Sequence, residues 1–89
     1  MTKPLIIANW KMNLLPNEAQ ILAMNLKKKV SAAIAKDFEI ILCPSFESLY
    51  LAGEGMKGGV ISIGAQDIFW QQHGAFTGEV SAQSLKQLG

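Results

Sequence analysis

Short apolar segments alternate with helix-like segments along this chain, and that alternation constrains its fold more than any other feature. The predicted strands are residues 5–10, 38–43 and 60–66, with helical patterns between and after them. Nearly continuous apolar strands are typical of a sheet covered on both faces, and strand–helix alternation predicts parallel strands with right-handed crossovers. The sequence therefore predicts an α/β fold. Periodicity alone leaves open either a doubly wound sheet or part of a closed eight-stranded barrel.

Helix signals mark the segments that follow the predicted strands. Asn17 is a good N-cap, and Gln20 three residues later predicts a capping box. The apolar residues of this first helix recur at helical spacing, and they are Ala19, Leu22, Ala23, Leu26, Val30, Ala33 and Ile34. Ser45 can cap a second, short helix, which Gly53 and Gly55 weaken and are expected to end.

Composition narrows the possible functions. The chain has 89 residues, 49% of them apolar, and a formal net charge of +1, which is globular and argues against a nucleic-acid-binding protein. The lysine run at 27–29 is interpreted as a solvated helix face. No apolar run approaches the roughly 18 residues of a membrane span. Cys43 is the single cysteine, so no internal disulfide can form, which suits a cytoplasmic protein, and we expect this thiol to be a buried hydrophobe.

Asn9 and Lys11 are the first candidate site residues. They follow an apolar strand, and ligands bind at the carboxyl ends of the strands in parallel α/β folds. Residues two apart on a strand share a face, so both side chains can address one ligand. A cation beside an amide donor suits an anionic, oxygen-rich substrate such as a sugar phosphate, and Lys11 could stabilise negative charge that develops during reaction. A solvated lysine beside a turn is the equally weighted alternative. Trp10 is expected to pack in the core.

Other chemical signals are weak. His73 is the only histidine, but no carboxylate is arranged to orient it, so we do not expect it to act in catalysis. Asp67, Glu47 and Glu54 form no paired arrangement. The glycines around Glu54 lack the strand and helix that a dinucleotide-binding fingerprint needs. The sequence predicts neither a metal cluster nor a cofactor.

A long loop, residues 67–80, is the second informative segment. It combines four large apolar side chains with polar residues, and the apolar ones are Ile68, Phe69, Trp70 and Phe76. A loop of this length within a compact domain is usually functional, and exposed aromatic residues favour a docking surface. The alternative is a loop folded back over its own sheet. Ser81 is the predicted cap of the third helix.

Three segments, in order and at strand ends, resemble the triosephosphate isomerase family. They read Asn-Trp-Lys-Met-Asn at 9–13, Gly-Ala-Gln-Asp at 64–67 and Gly-Ala-Phe-Thr-Gly-Glu at 74–79. Ala8, where many members have glycine, is a mild departure. The resemblance spans essentially the whole chain. It implies that residues 1–89 are a partial domain, the amino-terminal three βα units of a (β/α)8 TIM barrel, with no second domain.

The resemblance also implies a function. The family interconverts dihydroxyacetone phosphate and glyceraldehyde 3-phosphate by proton transfer through an enediolate, without a cofactor, in glycolysis and gluconeogenesis in the cytoplasm. Asn9 and Lys11 would then bind substrate, with Lys11 also the catalytic electrophile. The loop 67–80 would be the arm of an isologous homodimer. The implied interface residues are Gln66, Phe76, Thr77, Gly78 and Glu79.

Parts of the family's machinery have no counterpart in these 89 residues. The family's electrophilic histidine, its glutamate base, its lid and its phosphate loops match no segment here, and His73 does not match that histidine. We therefore expect the coding sequence to continue past Gly89 and this chain alone to be inactive. One alternative is a non-catalytic truncated module that retains the dimer loop and binds a full-length subunit. Another is an unrelated α/β phosphate-binding domain.

Overall fold

The computed structural model describes residues 2–89, which form a three-stranded sheet and four α-helices. In chain order the elements are β1 (Leu5–Asn9), α1 (Pro16–Lys29), α2 (Ala32–Asp37), β2 (Glu39–Cys43), a 3₁₀ turn (Phe46–Ser48), α3 (Leu49–Met56), β3 (Ser62–Ile63) and α4 (Ala82–Leu88). No helix within residues 2–89 has the length and apolar character needed to cross a membrane.

All strand pairs are parallel, as the sequence predicted. The order across the sheet is β1-β2-β3. Asn9 lies opposite Cys43, and Leu42 lies opposite Ile63, so the three strands end at the same edge. β3 is shorter than the predicted 60–66, because only two residues form its ladder with β2.

The first helix begins earlier than predicted, and a different residue caps it. Leu15 is the N-cap, Pro16 occupies the first helical position, and the Leu15 N–H donates to Glu18 Oε1 at 2.8 Å. The predicted Asn17–Gln20 capping box is therefore wrong. Proline suits the first helical position because its missing N–H would have had no partner there.

The single helix expected through Ile34 is two helices. Val30 adopts an extended conformation with φ −89° and ψ 106°, which ends α1. Ser31 then caps α2, and its Oγ accepts a hydrogen bond from the Ile34 N–H. The lysines at 27–29 occupy the last turn of α1, where positive charge interacts favourably with the helix dipole.

α3 runs through both glycines that were expected to end it. A Cβ built at Gly55 would lie 2.7 Å from the Gln20 carbonyl oxygen of α1, so the missing side chain lets the two helices approach closely. The core forms around this contact and contains Ala19, Ala23, Leu42, Ala52, Met56 and Ile61. Packing between α1 and α3 therefore overrides the low helix propensity of glycine.

β1 remains largely exposed. Leu5, Ile6 and Ile7 are 53%, 45% and 57% exposed, although their segment predicts a strand covered on both faces. Within residues 2–89, the helices that pack on the core leave this edge strand open. The expectation that the first strand is buried is therefore wrong for the part of the chain that the structure describes.

Candidate functional site

The carboxyl ends of the three strands meet at one edge of the sheet. The Trp10 N–H, just after β1, donates to the Cys43 carbonyl at 3.0 Å, and the Gly64 N–H, just after β3, donates to the Leu42 carbonyl at 2.8 Å. These bonds extend the pairing beyond the strands themselves. This edge is where the sequence placed the candidate site.

Asn9 and Lys11 form a tight turn at this edge. The Lys11 N–H donates to Asn9 Oδ1 at 2.9 Å, and Lys11 has a φ of 58°, in the left-handed region. β1 ends at Asn9, so the expectation that Lys11 shares a strand face with Asn9 does not apply. Instead, a side chain-to-backbone hydrogen bond fixes their relation. Both residues are exposed.

The turn leaves donors available for a ligand. Asn9 Oδ1 is occupied by the Lys11 N–H, and the structure records no partner for Asn9 Nδ2 within residues 2–89. It likewise records no ion pair or hydrogen bond for Lys11 Nζ in that range. An amide N–H₂ and an ammonium, both donors, can together bind phosphate or carbonyl oxygens.

Gln66 joins this edge from the third strand segment. Its Nε2 donates to the Lys11 carbonyl and to the Cys43 carbonyl, each at 2.9 Å. The family resemblance assigns Gln66 only to a dimer interface, and it does not reveal this role inside the chain. Its position as the last residue of the third predicted strand was the one available signal.

Two other sequence predictions at this edge are confirmed. Trp10 is partly buried and packs against the core, and the side chain of Asn13 holds its carbonyl through a 2.9 Å hydrogen bond. Cys43 is a buried free thiol.

The loop 67–80 packs partly against itself. The Phe69 and Phe76 ring centroids are 4.5 Å apart, and the Phe69 N–H donates to the Val80 carbonyl at 2.7 Å. Gly74, with φ 137°, makes room for this pair, because a Cβ there would lie 2.6 Å from the Phe76 ring. This contact lies within the loop and does not join the loop to the sheet, so it does not decide between a docking surface and a loop folded over its own sheet. Trp70, at 81% exposed, keeps a docking surface available as well.

The tip of the loop, residues 77–79, is exposed, and Gly78 has a left-handed φ of 88°. His73 is also exposed and lines a cavity of about 200 Å³ together with Phe46 and Glu79. The cavity is not lined by Asn9, Lys11 or Gln66. The structure therefore groups His73 with the loop and not with the strand-end site.

A larger groove, of about 470 Å³, lies between α3, β3 and α4. Its lining includes Tyr50 and Glu54, but not Asn9, Lys11 or Gln66. The Glu54 carboxylate holds the pKa of the Tyr50 phenol above its ordinary value, first through a hydrogen bond and then through repulsion of the phenolate, with a further contribution from desolvation.

No group of three or more His, Cys, Asp or Glu side chains within residues 2–89 could hold a metal ion.

The comparisons with known proteins agree on one family. The family model described as triosephosphate isomerase matches residues 4–89. Triosephosphate isomerase from Moorella thermoacetica is 42% identical over 89 residues, which is 100% of this chain and 34% of that protein. The Aquifex aeolicus protein of the same name is 40% identical over 85 residues, covering 96% of this chain and 34% of its own length.

A solved structure gives the same result in three dimensions. The crystal structure of triosephosphate isomerase from Bartonella henselae matches with a TM-score of 0.78 and 30% identity, and covers 99% of this chain and 35% of that one. The predicted fold class, the amino-terminal βα units of a (β/α)8 barrel, is thereby confirmed. The chain spans about a third of the length of the relatives that it matches.

Proposed function

Because the chain belongs to the triosephosphate isomerase family, we propose that a protein carrying this segment interconverts dihydroxyacetone phosphate and glyceraldehyde 3-phosphate through an enediolate. The supporting observation is the strand-end turn, in which Asn9 and Lys11 offer an amide donor and an ammonium. This donor set fits a substrate with a phosphate dianion and adjacent oxygen atoms. The reaction needs no cofactor.

Lys11 is proposed to bind substrate and to act as an electrophile. Its Nζ can pair with the phosphate and can also stabilise the negative charge that builds up on oxygen in the enediolate-like transition state. Interactions that strengthen in the transition state raise kcat, whereas equal binding of both states does not. Asn9 is proposed to contribute in two ways. Its Oδ1 holds the Lys11 N–H, and its Nδ2 donates to a substrate oxygen.

The remaining chemical groups are proposed to lie outside the matched third. The resemblance assigns the histidine that polarises the carbonyl and the glutamate that moves the proton to later strands of the family barrel. General acid–base catalysis is typically worth about 10² to 10⁴ in rate. We therefore expect the 89-residue chain by itself to show no enzymatic turnover.

The loop 67–80 is proposed to be the contact of a cytoplasmic homodimer, with Thr77 at its tip. The exposed tip and exposed Trp70 support a docking role. The same observations support a second candidate, a non-catalytic module that binds a full-length subunit through this loop. Co-purification of the tagged 89-residue chain with a full-length subunit, without turnover of its own, would favour the module.

The main experiment uses a full-length enzyme that carries this segment, for example a chimera in which residues 1–89 replace the matching third of the Moorella thermoacetica protein. Lys11→Met removes the ammonium and retains most of the side chain's length. We expect kcat to fall by about 10² to 10³, the typical effect of removing one preorganised charge-stabilising group. Lys28→Met, which removes an exposed lysine in the last turn of α1, is the matched control and should keep normal kinetics. Normal kcat and KM in Lys11→Met would refute the site assignment.

A further inference from the structure

Gln66 ties together the ends of all three strands with one side chain. It follows β3, and its Nε2 donates to the carbonyl of Lys11 after β1 and to the carbonyl of Cys43 at the end of β2, each at 2.9 Å. A side-chain amide nitrogen has two hydrogens, and both are used here. The Cys43 carbonyl also accepts a hydrogen bond from the Trp10 N–H at 3.0 Å. One of the two acceptors of the Gln66 amide is therefore itself part of the pairing between the first two strand segments.

Lys11 needs such support because of its backbone conformation. Its φ of 58° lies in the left-handed region, which lysine rarely adopts, because its Cβ then lies too close to the following carbonyl oxygen. Asn9 holds the N–H of Lys11 and Gln66 holds its carbonyl oxygen. The peptide groups on both sides of the Lys11 Cα are therefore clamped, and the clamps set the direction in which the side chain leaves the backbone.

We propose that Gln66 is the positioning residue of the site: its amide holds Lys11 in the left-handed conformation that aims the ammonium at substrate. This inference rests on the proposed function of Lys11. It gives Gln66 a role inside the subunit, separate from the interface role that the resemblance implies. Small errors in placing a reacting group are costly in rate, so a residue that never touches substrate can control kcat.

The test is a double-mutant cycle in a full-length enzyme carrying this segment. Gln66→Met keeps the length of the side chain and removes both donors. We expect kcat/KM to fall roughly tenfold, mainly through kcat, since two hydrogen bonds of ordinary net strength are lost. In the Lys11→Met background, Gln66→Met should alter kcat/KM by less than a factor of about 2. The ammonium that Gln66 positions is already absent there, so its loss of position has no further effect. Gln87→Met, an exposed glutamine on α4, is the matched control in both backgrounds.

The outcomes separate this inference from the proposed function. If Lys11→Met retains full activity, the proposed function of Lys11 fails. If Lys11→Met is impaired while Gln66→Met has no effect, or lowers activity equally in both backgrounds, only the positioning role is overturned. If Gln66→Met does not fold, the cycle is repeated with Gln66→Asn, whose shorter amide cannot span both carbonyls. Failure of both variants to fold would also overturn the inference, because the side chain would then support the whole fold.

Discussion

The side chain of Asn9 accepts a hydrogen bond from the main-chain N–H of Lys11 at 2.9 Å, closing a turn in which Lys11 is left-handed. The two predicted site residues are therefore coupled through the backbone. A change at Asn9 affects both the donors offered to a ligand and the conformation of Lys11. These two effects can be separated by choosing the substitution.

Asn9→Asp keeps an acceptor for the Lys11 N–H, but removes the Nδ2 donor and adds a negative charge that repels an anionic substrate. Asn9→Ala removes the acceptor as well. In a full-length enzyme we expect both to lower kcat/KM by about tenfold or more, and only Asn9→Ala to lower the free energy of unfolding, by about 1 kcal/mol. Steady-state kinetics and urea unfolding measure the two effects. Equal loss of stability in both variants would contradict the proposed turn contact.

Gly53 and Gly55 lie in the same helix but should respond oppositely to alanine. A Cβ at Gly53 meets nothing within 4 Å, whereas one at Gly55 would lie 2.7 Å from the Gln20 carbonyl oxygen. Gly53→Ala should stabilise the protein by about 0.5–1 kcal/mol through helix propensity. Gly55→Ala should destabilise it by about 1–3 kcal/mol through overpacking. Denaturant midpoints of the two variants decide the matter, and a stable Gly55→Ala protein would mean that α1 and α3 pack less closely.

Glu54 should control the ionisation of Tyr50. Its carboxylate raises the pKa of the phenol above the ordinary 10.0, so Glu54→Gln should lower that pKa. The measurement is the ultraviolet absorbance of tyrosinate, taken as the difference between the protein and its Tyr50→Phe variant. Glu39→Gln, at the start of β2, removes a carboxylate elsewhere and should leave the pKa of Tyr50 unchanged.

The same pKa shift has a consequence for stability. Because the folded-state pKa of Tyr50 is raised, its contribution is fully present below the unfolded-state pKa and is lost as pH rises through the folded-state value. The free energy of unfolding should therefore fall more steeply with pH above about 10 in the parent than in Glu54→Gln. If the free energy of unfolding depended on pH in the same way in the parent and in Glu54→Gln, that result would argue against the contact between Tyr50 and Glu54.

The isolated 89-residue chain should associate through β1. This edge strand leaves Leu5, Ile6 and Ile7 about half exposed, and an apolar strand edge templates pairing with other chains. We expect light scattering to show oligomers at concentrations where Ile6→Lys is largely dispersed, because a charged side chain blocks edge pairing. Lys3→Gln, which adds no charge to β1, is the control. A monomeric parent chain would contradict this view of the open edge.

Local sequence patterns were enough to predict the class of fold and the position of the candidate site. Strand–helix alternation predicted the parallel sheet, and the local motif at 9–13 placed Asn9 and Lys11 at its carboxyl edge. Ser81 was correctly identified as a helix cap, since its Oγ accepts the Ser84 N–H three residues later. These features are encoded by near neighbours, through periodicity, capping and burial preference, so they can be read along the chain.

Features that depend on residues distant in sequence could not be predicted and are seen only in the folded chain. Position 55 of α3 requires glycine, because the Gln20 carbonyl oxygen of α1 lies where a Cβ would otherwise be placed. Gln66 donates a hydrogen bond to the Lys11 carbonyl, 55 positions earlier in the sequence, and no local sequence pattern predicts that bond. The left-handed turn at Lys11 is fixed from both sides, by Asn9 nearby and by Gln66 from the third strand segment. Local sequence placed Lys11 at the candidate site. The long-range hydrogen bond from Gln66 could not be predicted, because a side chain's distant partners are known only once the strands have paired.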